Sequence, residues 1–296
     1  MHMKQILVTG ANGQLGSSLK ERSRFYNQFE YTFIDFQDLD LTKEHQVQQF
    51  FEKRAFDYII NCAAYTAVDR AEKEREQAFS VNEGIPVLLG NLCRQRPVYL
   101  LHISTDYVYS GESWLPHLEE EDPAVTSVYA ESKLKGEMSL WNNSRCMVIR
   151  TSWLYSEYGN NFLRNMIRLF GERSELGVVF DQTGSPTYAG DLAQALLDII
   201  VYSENHGFKS GIFNYANEGV CSWYDFAVEI MSLTGSVCNV HPIRTSEYPL
   251  PARRPEYSVM DKTKIKSTFG LKIPHWKQSL ITAIHNLNHS YEFRLP

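Results

Sequence analysis

The sequence predicts an α/β protein: a Rossmann-type doubly wound parallel sheet with a smaller, interleaved portion. Three observations predict it. The first half alternates short apolar runs with amphipathic stretches, the pattern of a parallel sheet covered by helices on both faces. The first apolar run ends in a glycine-spaced loop that opens a helical pattern, Thr9-Gly10-Ala11-Asn12-Gly13-Gln14-Leu15-Gly16. The second half is richer in loops, proline and aromatic residues, with no internal repeat, low-complexity tract or flexible linker.

The elements follow in order. Apolar runs at Gln5 to Thr9, Tyr31 to Asp35, Tyr58 to Asn61, Val98 to Ser104 and Cys146 to Arg150 read as buried parallel strands. Between them Gln14 to Ser23, Glu44 to Lys53, Glu72 to Arg94 and Val128 to Trp141 read as helices. Further strands are expected at Gly177 to Phe180 and Ile212 to Tyr215. Further helices are expected at Asn161 to Gly171, Tyr188 to Tyr202, Trp223 to Thr234 and Trp276 to Asn288. Pro242, Pro249, Pro251 and Pro255 predict irregular chain from 241 to 260. This divides the molecule into a dinucleotide-binding domain at 1–151, with returning segments near 177–218, and a substrate-binding portion at 152–176 and 219–296.

Composition excludes several classes. Apolar residues make up 43% of 296, enough for a real core. The net charge of -6 and the lack of a basic run argue against a nucleic-acid polymer as partner. No stretch is apolar for the ~18 residues a membrane helix needs. The start, Met1-His2-Met3-Lys4, lacks the form of a secretory signal, so a cytoplasmic location is expected. The five cysteines form no C-x-x-C pair and read as reduced thiols; the nine histidines lack metal-ligand spacing, so no metal site is assigned.

The glycine loop lies after a strand and before a helix. There, missing side chains let the backbone approach a pyrophosphate at the helix N-terminus. Gly10, Asn12, Gly13, Gln14, Leu15 and Gly16 are therefore candidate dinucleotide contacts. Asp35 ends the second strand about 20 residues later, where a carboxylate can accept from the adenosine ribose and repel a 2′-phosphate. Asp38 and Asp40 compete for that role, and Asp40 and Leu41 join the candidate cofactor set. The small residues Ala63 and Ala64, with Tyr65, follow the next clear strand and would let a cofactor lie across the sheet edge. Ser104-Thr105-Asp106-Tyr107 closes a buried strand, placing hydroxyls at the ligand-binding edge of the sheet. Tyr129 and Lys133 stand four apart, on one helical face. A Lys ammonium, together with the positive nicotinamide ring of an oxidised cofactor, favours phenolate in a phenol that ordinarily titrates near 10, so Tyr129 is expected to serve as acid or base. Tyr-x-x-x-Lys alone is common on solvated helices; its place after the glycine loop and the strand-end threonine gives it weight.

These residues resemble the extended short-chain dehydrogenase/reductases and, within them, the dTDP-4-dehydrorhamnose reductase family. The resemblance extends through Asn61 to Glu72 (NCAAYTAVDRAE), Ser104 to Val108, Tyr129 to Glu137 (YAESKLKGE), Arg150-Thr151-Ser152-Trp153, Gly159 to Phe162, Asp181-Gln182, Gly184 to Thr187, Ser222-Trp223-Tyr224 and Pro251 to Pro255 (PARRP). Cys62 stands where the family often has Ala, and Ala130 where it often has Gly. The resemblance implies reduction of the C4 ketone of dTDP-4-dehydro-L-rhamnose with NADPH or NADH. It implies Thr105, Tyr129 and Lys133 as the catalytic set, with Tyr129 and Lys133 also touching the cofactor. It implies Asp106, Tyr107 and Trp153 around the sugar, and Arg253 and Arg254 as cations for the diphosphate or as structural ion pairs. Some members use Mg²⁺ at a dimer contact; the sequence shows no matching carboxylate cluster, and monomer and homodimer both stay open. Two other readings remain: another epimerase or reductase of nucleotide sugars, and a dinucleotide-binding regulatory subunit resembling that of methionine adenosyltransferase. A dehydratase usually needs an extra acid pair after the strand-end threonine, where this chain has Asp106-Tyr107.

Overall fold

The computed structural model describes residues 3–289; Met1, His2 and the stretch 290–296 assigned above to the substrate-binding portion lie outside the described residues. The chain starts with β1 (Lys4–Thr9), α1 (Gln14–Arg22), β2 (Phe29–Ile34), α2 (Glu44–Lys53) and β3 (Tyr58–Asn61). A short α3 (Val68–Ala71) follows. Then α4 (Arg75–Phe79) runs through a π-helical turn, Ser80–Gly84, into α5 (Ile85–Gln95). Next come β4 (Tyr99–Thr105), α6 (Val128–Leu140), β5 (Cys146–Thr151), β6 (Leu154–Tyr155), α7 (Phe162–Glu172), β7 (Glu175–Val179), β8 (Thr183–Gly184) and β9 (Thr187–Tyr188). The chain ends with α8 (Ala189–His206), β10 (Gly211–Tyr215), β11 (Cys221–Ser222), α9 (Trp223–Thr234), β12 (Asn239–Ile243), α10 (Thr263–Phe269) and α11 (Trp276–His289).

Six strands form one parallel sheet in the order β10-β5-β4-β3-β1-β2. Alternation along β1 explains how both faces are covered. Ile6 and Val8 pack under α1, α8 and α10, whereas Leu7 packs with α2 and α5 on the other face. The strand order reverses between β1 and β3, which opens a crevice at the carboxyl edge of the sheet. Of the segments expected to return to the sheet, α8 and β10 do so. The strand at 175–179 does not: β7 pairs in parallel with β12 in a separate ribbon. A second core, around Tyr155, Leu163, Tyr188, Phe226 and Trp276, holds that smaller portion together.

Two expectations are corrected here. The helix read as continuous from Glu72 starts instead at Arg75 and carries the π-turn. The proline-rich stretch begins as a strand, with Pro242 inside β12 opposite Val178. A two-stranded ribbon leaves each strand an unpaired side, so proline's missing N–H costs no ladder bond there.

Helix α6 carries Tyr129 and Lys133 on its buried face with Ser132, Gly136 and Glu137, while Lys135 and Met138 on the opposite face are exposed. Its start is capped by Ser127, whose hydroxyl accepts from the Ala130 N–H at 3.2 Å. The π-turn is its bed: a Cβ on Gly136 would lie 2.1 Å from the Asn82 carbonyl oxygen, so only glycine permits this approach. Asn82 also ties the turn to its surroundings. Its Oδ1 accepts from Tyr65 N–H at 2.9 Å, and its Nδ2 donates to the Tyr65 carbonyl and to Ser132 Oγ, each at 3.0 Å. Lower on α6, Glu137 meets the wholly buried Arg150 of β5 at 2.7 Å, and Arg150 also donates to Tyr109 Oη. Removing either partner alone would strand a buried charge.

Candidate active site

A cavity of about 1030 Å³ runs along the carboxyl edge of the sheet, from the β1/β2 side across to Trp153 and Asn161. One end is built from backbone. Gly10 holds φ +63, and a Cβ there would lie 2.7 Å from Ala63 N; one on Gly16 would lie 2.3 Å from the Gly10 carbonyl oxygen. These two glycines let the loop, α1 and β3 close together. Gly13 differs: a Cβ there would meet only the Gly10 carbonyl oxygen, at 3.3 Å, and it stands at the N-cap of α1 with no side-chain cap. Gly13, Gln14 and Leu15 line the cavity, and an uncapped helix start offers its N–H groups to an anion. The residues present therefore fit a dinucleotide pyrophosphate.

Beyond the glycine loop, Asp35 accepts from Asn12 N–H at 2.8 Å and from Phe36 N–H at 2.7 Å. Asp40 accepts from the Thr42 N–H and hydroxyl. Both carboxylates line the cavity with Leu41, Ala63, Ala64 and Tyr65. Phe36, mostly exposed, also lines it and was not singled out from the sequence. Its position directly after a strand-end Asp was the available signal. A buried polar chain sits behind this wall. Thr9 Oγ1 donates to Asn61 Oδ1 at 2.7 Å, and Asn61 Nδ2 donates to His102 Nδ1 at 2.9 Å. Burial and the Lys133 charge hold His102 well below its ordinary pKa, so it stays neutral. The sequence did not reveal this chain, because its members meet only through strand pairing.

In the middle of the cavity stand Thr105, Tyr129 and Lys133, all buried. Lys133 Nζ donates to the Ile103 carbonyl at 2.7 Å, and burial lowers its pKa to about 8. Burial pushes the Tyr129 phenol up to about 12, with the Thr105 hydroxyl opposing and Asp106 adding to the shift. Without the charge of a bound cofactor, burial therefore favours the neutral phenol, a proton donor. Tyr107 packs edge-on against Tyr129, ring centroids 5.5 Å apart.

Toward the far end, Asp106 accepts from Thr105 Oγ1 at 3.1 Å through one oxygen; its Oδ2 makes no well-formed hydrogen bond, with the Ser258 hydroxyl close by. Burial lifts its pKa to about 6, with the Ser258 and Thr105 hydroxyls opposing. Ser104 Oγ is likewise buried, unpartnered and in the cavity lining. Trp153 closes this end, its indole stacked on Trp223. Arg253 and Arg254 do not line the cavity. Arg254 is bound through both terminal nitrogens to Asp69 at 2.6 Å, and Arg253 is exposed, 3.8 Å from Glu112. For Arg254 the ion-pair alternative is what the structure holds. All five cysteines are free thiols, and among the described residues no cluster of His, Cys, Asp or Glu could hold a metal ion. Among the described residues no helix is long and apolar enough to cross a membrane.

A helix start open to pyrophosphate, followed along one sheet edge by a buried Thr/Tyr/Lys set, is the arrangement of extended short-chain dehydrogenase/reductases. Comparison with known proteins narrows that class. The family profile described as RmlD substrate binding domain matches residues 3–289. A dTDP-4-dehydrorhamnose reductase of Aggregatibacter actinomycetemcomitans is 39% identical over 289 residues, covering 94% of this chain and 97% of the relative. Two solved dTDP-4-dehydrorhamnose reductases share the fold. That of Clostridium acetobutylicum has a TM-score of 0.91 and 40% identity, covering 96% of this chain and 99% of the other. That of Bacillus anthracis, in complex with NADP, has a TM-score of 0.91 and 37% identity, covering 96% of this chain and all of the other (100%). The chain belongs to the dTDP-4-dehydrorhamnose reductase family, NAD(P)-dependent reductases of nucleotide sugars.

Proposed function

We propose that this protein reduces the C4 ketone of dTDP-4-dehydro-L-rhamnose to give dTDP-L-rhamnose, with NADPH or NADH as cofactor. The observation that carries the reading is geometric: Tyr129 lies buried with Thr105 and Lys133 midway along one cavity, between the dinucleotide-fitting glycine loop and Trp153. The bound dinucleotide supplies the hydride. Tyr129 donates its proton to the oxygen that gains charge as the ketone is reduced, and the Thr105 hydroxyl orients that oxygen. Lys133, anchored on the Ile103 carbonyl, holds a positive charge beside the reacting region while it remains protonated. Asp106, Tyr107 and Trp153 line the far end of the cavity, where the polar pair would meet sugar hydroxyls and the indole the apolar side of a 6-deoxysugar. The NADP complex of the Bacillus anthracis relative supports the cofactor half of the reading.

The test is oxidation of NADPH and NADH with enzymatically prepared dTDP-4-dehydro-L-rhamnose, with the product identified. Formation of dTDP-L-rhamnose, with weak or no turnover of simple ketones, is the expected result. Faster turnover of a different ketosugar would reassign the substrate. Tight dinucleotide binding with no turnover of any nucleotide ketosugar would favour a regulatory role.

A further inference from the structure

Trp153 has a backbone at odds with its side chain. Its φ is +48, a region that, among the described non-glycine residues, only Asn142 shares. Asparagine adopts that region readily, whereas a bulky side chain is held there only when its surroundings over-determine it. Three features of the fold do so.

The first is a stack. The Trp153 and Trp223 rings lie face to face, centroids 3.5 Å apart and planes 6° apart. Trp223 is itself fixed, as the first residue of α9. A reciprocal cap, Ser222 with Asp225, locks that helix start, and the Phe162 ring packs on Trp223 with centroids 4.6 Å apart. The second is a notch. A Cβ on Gly184 would lie 2.6 Å from Trp153 Cε2 and 2.8 Å from Cζ2. Gly184 is not among the glycines with positive φ, so what glycine supplies at this position is room for the indole and for the Ser258 hydroxyl, 2.8 Å from the same Cβ. The third is a backbone tether on both sides: Thr187 N–H donates to the Trp153 carbonyl at 3.2 Å, and Ser152 Oγ donates to the Ser185 carbonyl at 2.8 Å. Trp153 lines the cavity, whereas Trp223 and Gly184 do not.

We infer that Trp223 and Gly184 are positioning residues for the substrate: they clamp Trp153 in a preformed left-handed conformation, so that its indole is one fixed wall of the sugar pocket. The inference rests on the ketosugar reading above and extends it to two residues outside the cavity. A fixed wall selects its ligand by shape, with no ordering of the tryptophan left for binding to pay. Loosening the clamp therefore weakens the fit of the sugar more than it disturbs the dinucleotide end.

The test uses full-length Gly184→Ala, Trp223→Ala and Trp223→Phe, with NADPH affinity and thermal melting as checks on the fold. Stacked indoles give an exciton couplet in far-ultraviolet circular dichroism, and the wild type should show it. Gly184→Ala should alter the couplet. In Gly184→Ala and Trp223→Ala, KM for the ketosugar should rise about tenfold with a smaller change in kcat, as expected when ground-state binding is lost. NADPH affinity should stay within about twofold, and Trp223→Phe, which keeps a flat ring against Trp153, should recover most of the KM. Two results overturn the clamp: no couplet in the wild type, or a normal KM in a folded Gly184→Ala or Trp223→Ala. If one variant fails to fold, the remaining two decide in the same way. Failure of the underlying reading shows separately, because the wild type would then leave the ketosugar untouched, and the clamp would fall with it as a substrate device.

Discussion

The two ends of the cavity are made of different material. At the dinucleotide end the walls are backbone: the glycine loop, the open start of α1 and the small residues after β3. At the sugar end they are side chains held by other side chains, with Trp153 against Trp223 and Asp106 against Thr105. Backbone walls demand particular residue types at fixed spacing, so they appear in the sequence as a motif. Side-chain walls depend on contacts between distant segments. They can be rebuilt for another ligand while the first kind stays unchanged.

Four substitutions test how independent the two ends are. Tyr129→Phe should have the largest effect, because it removes the proton donor between them and leaves both walls intact. Turnover should fall by at least about 10²-fold with NADPH affinity preserved. Near-normal turnover would remove Tyr129 from the chemistry. Trp153→Ala should come next, lowering kcat/KM for the ketosugar by roughly tenfold or more while NADPH binding holds. Loss of cofactor affinity in proportion would mean that the ends are one structural unit and Trp153 a core residue.

Asp106 sharpens the comparison through pH. Its pKa near 6 means that the carboxylate, the form able to accept from a sugar hydroxyl, is lost as pH falls through about 6. The pH profile of kcat/KM should therefore carry an acid limb near 6, and Asp106→Asn should flatten it at a lower plateau. Stability should move the opposite way. A carboxyl whose folded pKa is raised holds a proton that the unfolded chain has already released, so wild-type stability declines as pH rises from about 4 to about 6. Asp106→Asn, which cannot ionise, should escape that decline, and melting temperatures across this range measure it. The smallest effect belongs to Asp35→Ala at the ribose end. With the carboxylate gone, the ratio of kcat/KM for NADPH to that for NADH should rise several-fold. An unchanged ratio would show that Asp35 does not face the adenosine ribose.

How much could be read in advance follows the same division. The helix at Trp223–Thr234 was expected with the bounds observed; in the structure Ser222 caps its start and Gly235, in the left-handed region, stops it. Strand β3 and helix α2 also stand where their apolar patterns put them. The π-turn was not visible, since its cause is the approach of Gly136 to the Asn82 carbonyl, more than fifty residues along the chain. The strand containing Pro242 was missed because proline argues against a ladder that β12 makes with only one neighbour. Helix α10 was missed as well, a short piece whose Ile265 and Phe269 pack onto the sheet. Thr105, Tyr129 and Lys133, singled out by their order, lie together in the cavity. The Thr9, Asn61 and His102 chain was hidden, because its partners are neighbours only across strands. The neutral phenol depends on burial depth, which spacing alone does not report.

The bonds of Asn82 bear on how such a reductase can diverge. One side chain bonds both the Tyr65 backbone and Ser132, and so ties the loop after β3 to the helix that carries Tyr129. A mutation that reshapes this loop for a new dinucleotide would drag the residue next to Lys133 with it. Asp35 and Asp40 carry no such coupling; among the described residues their carboxylates accept from Asn12, Phe36 and Thr42, at their own end of the cavity. Lineages and protein engineers alike should find cofactor preference easiest to change there, where the edit cannot travel to the tyrosine.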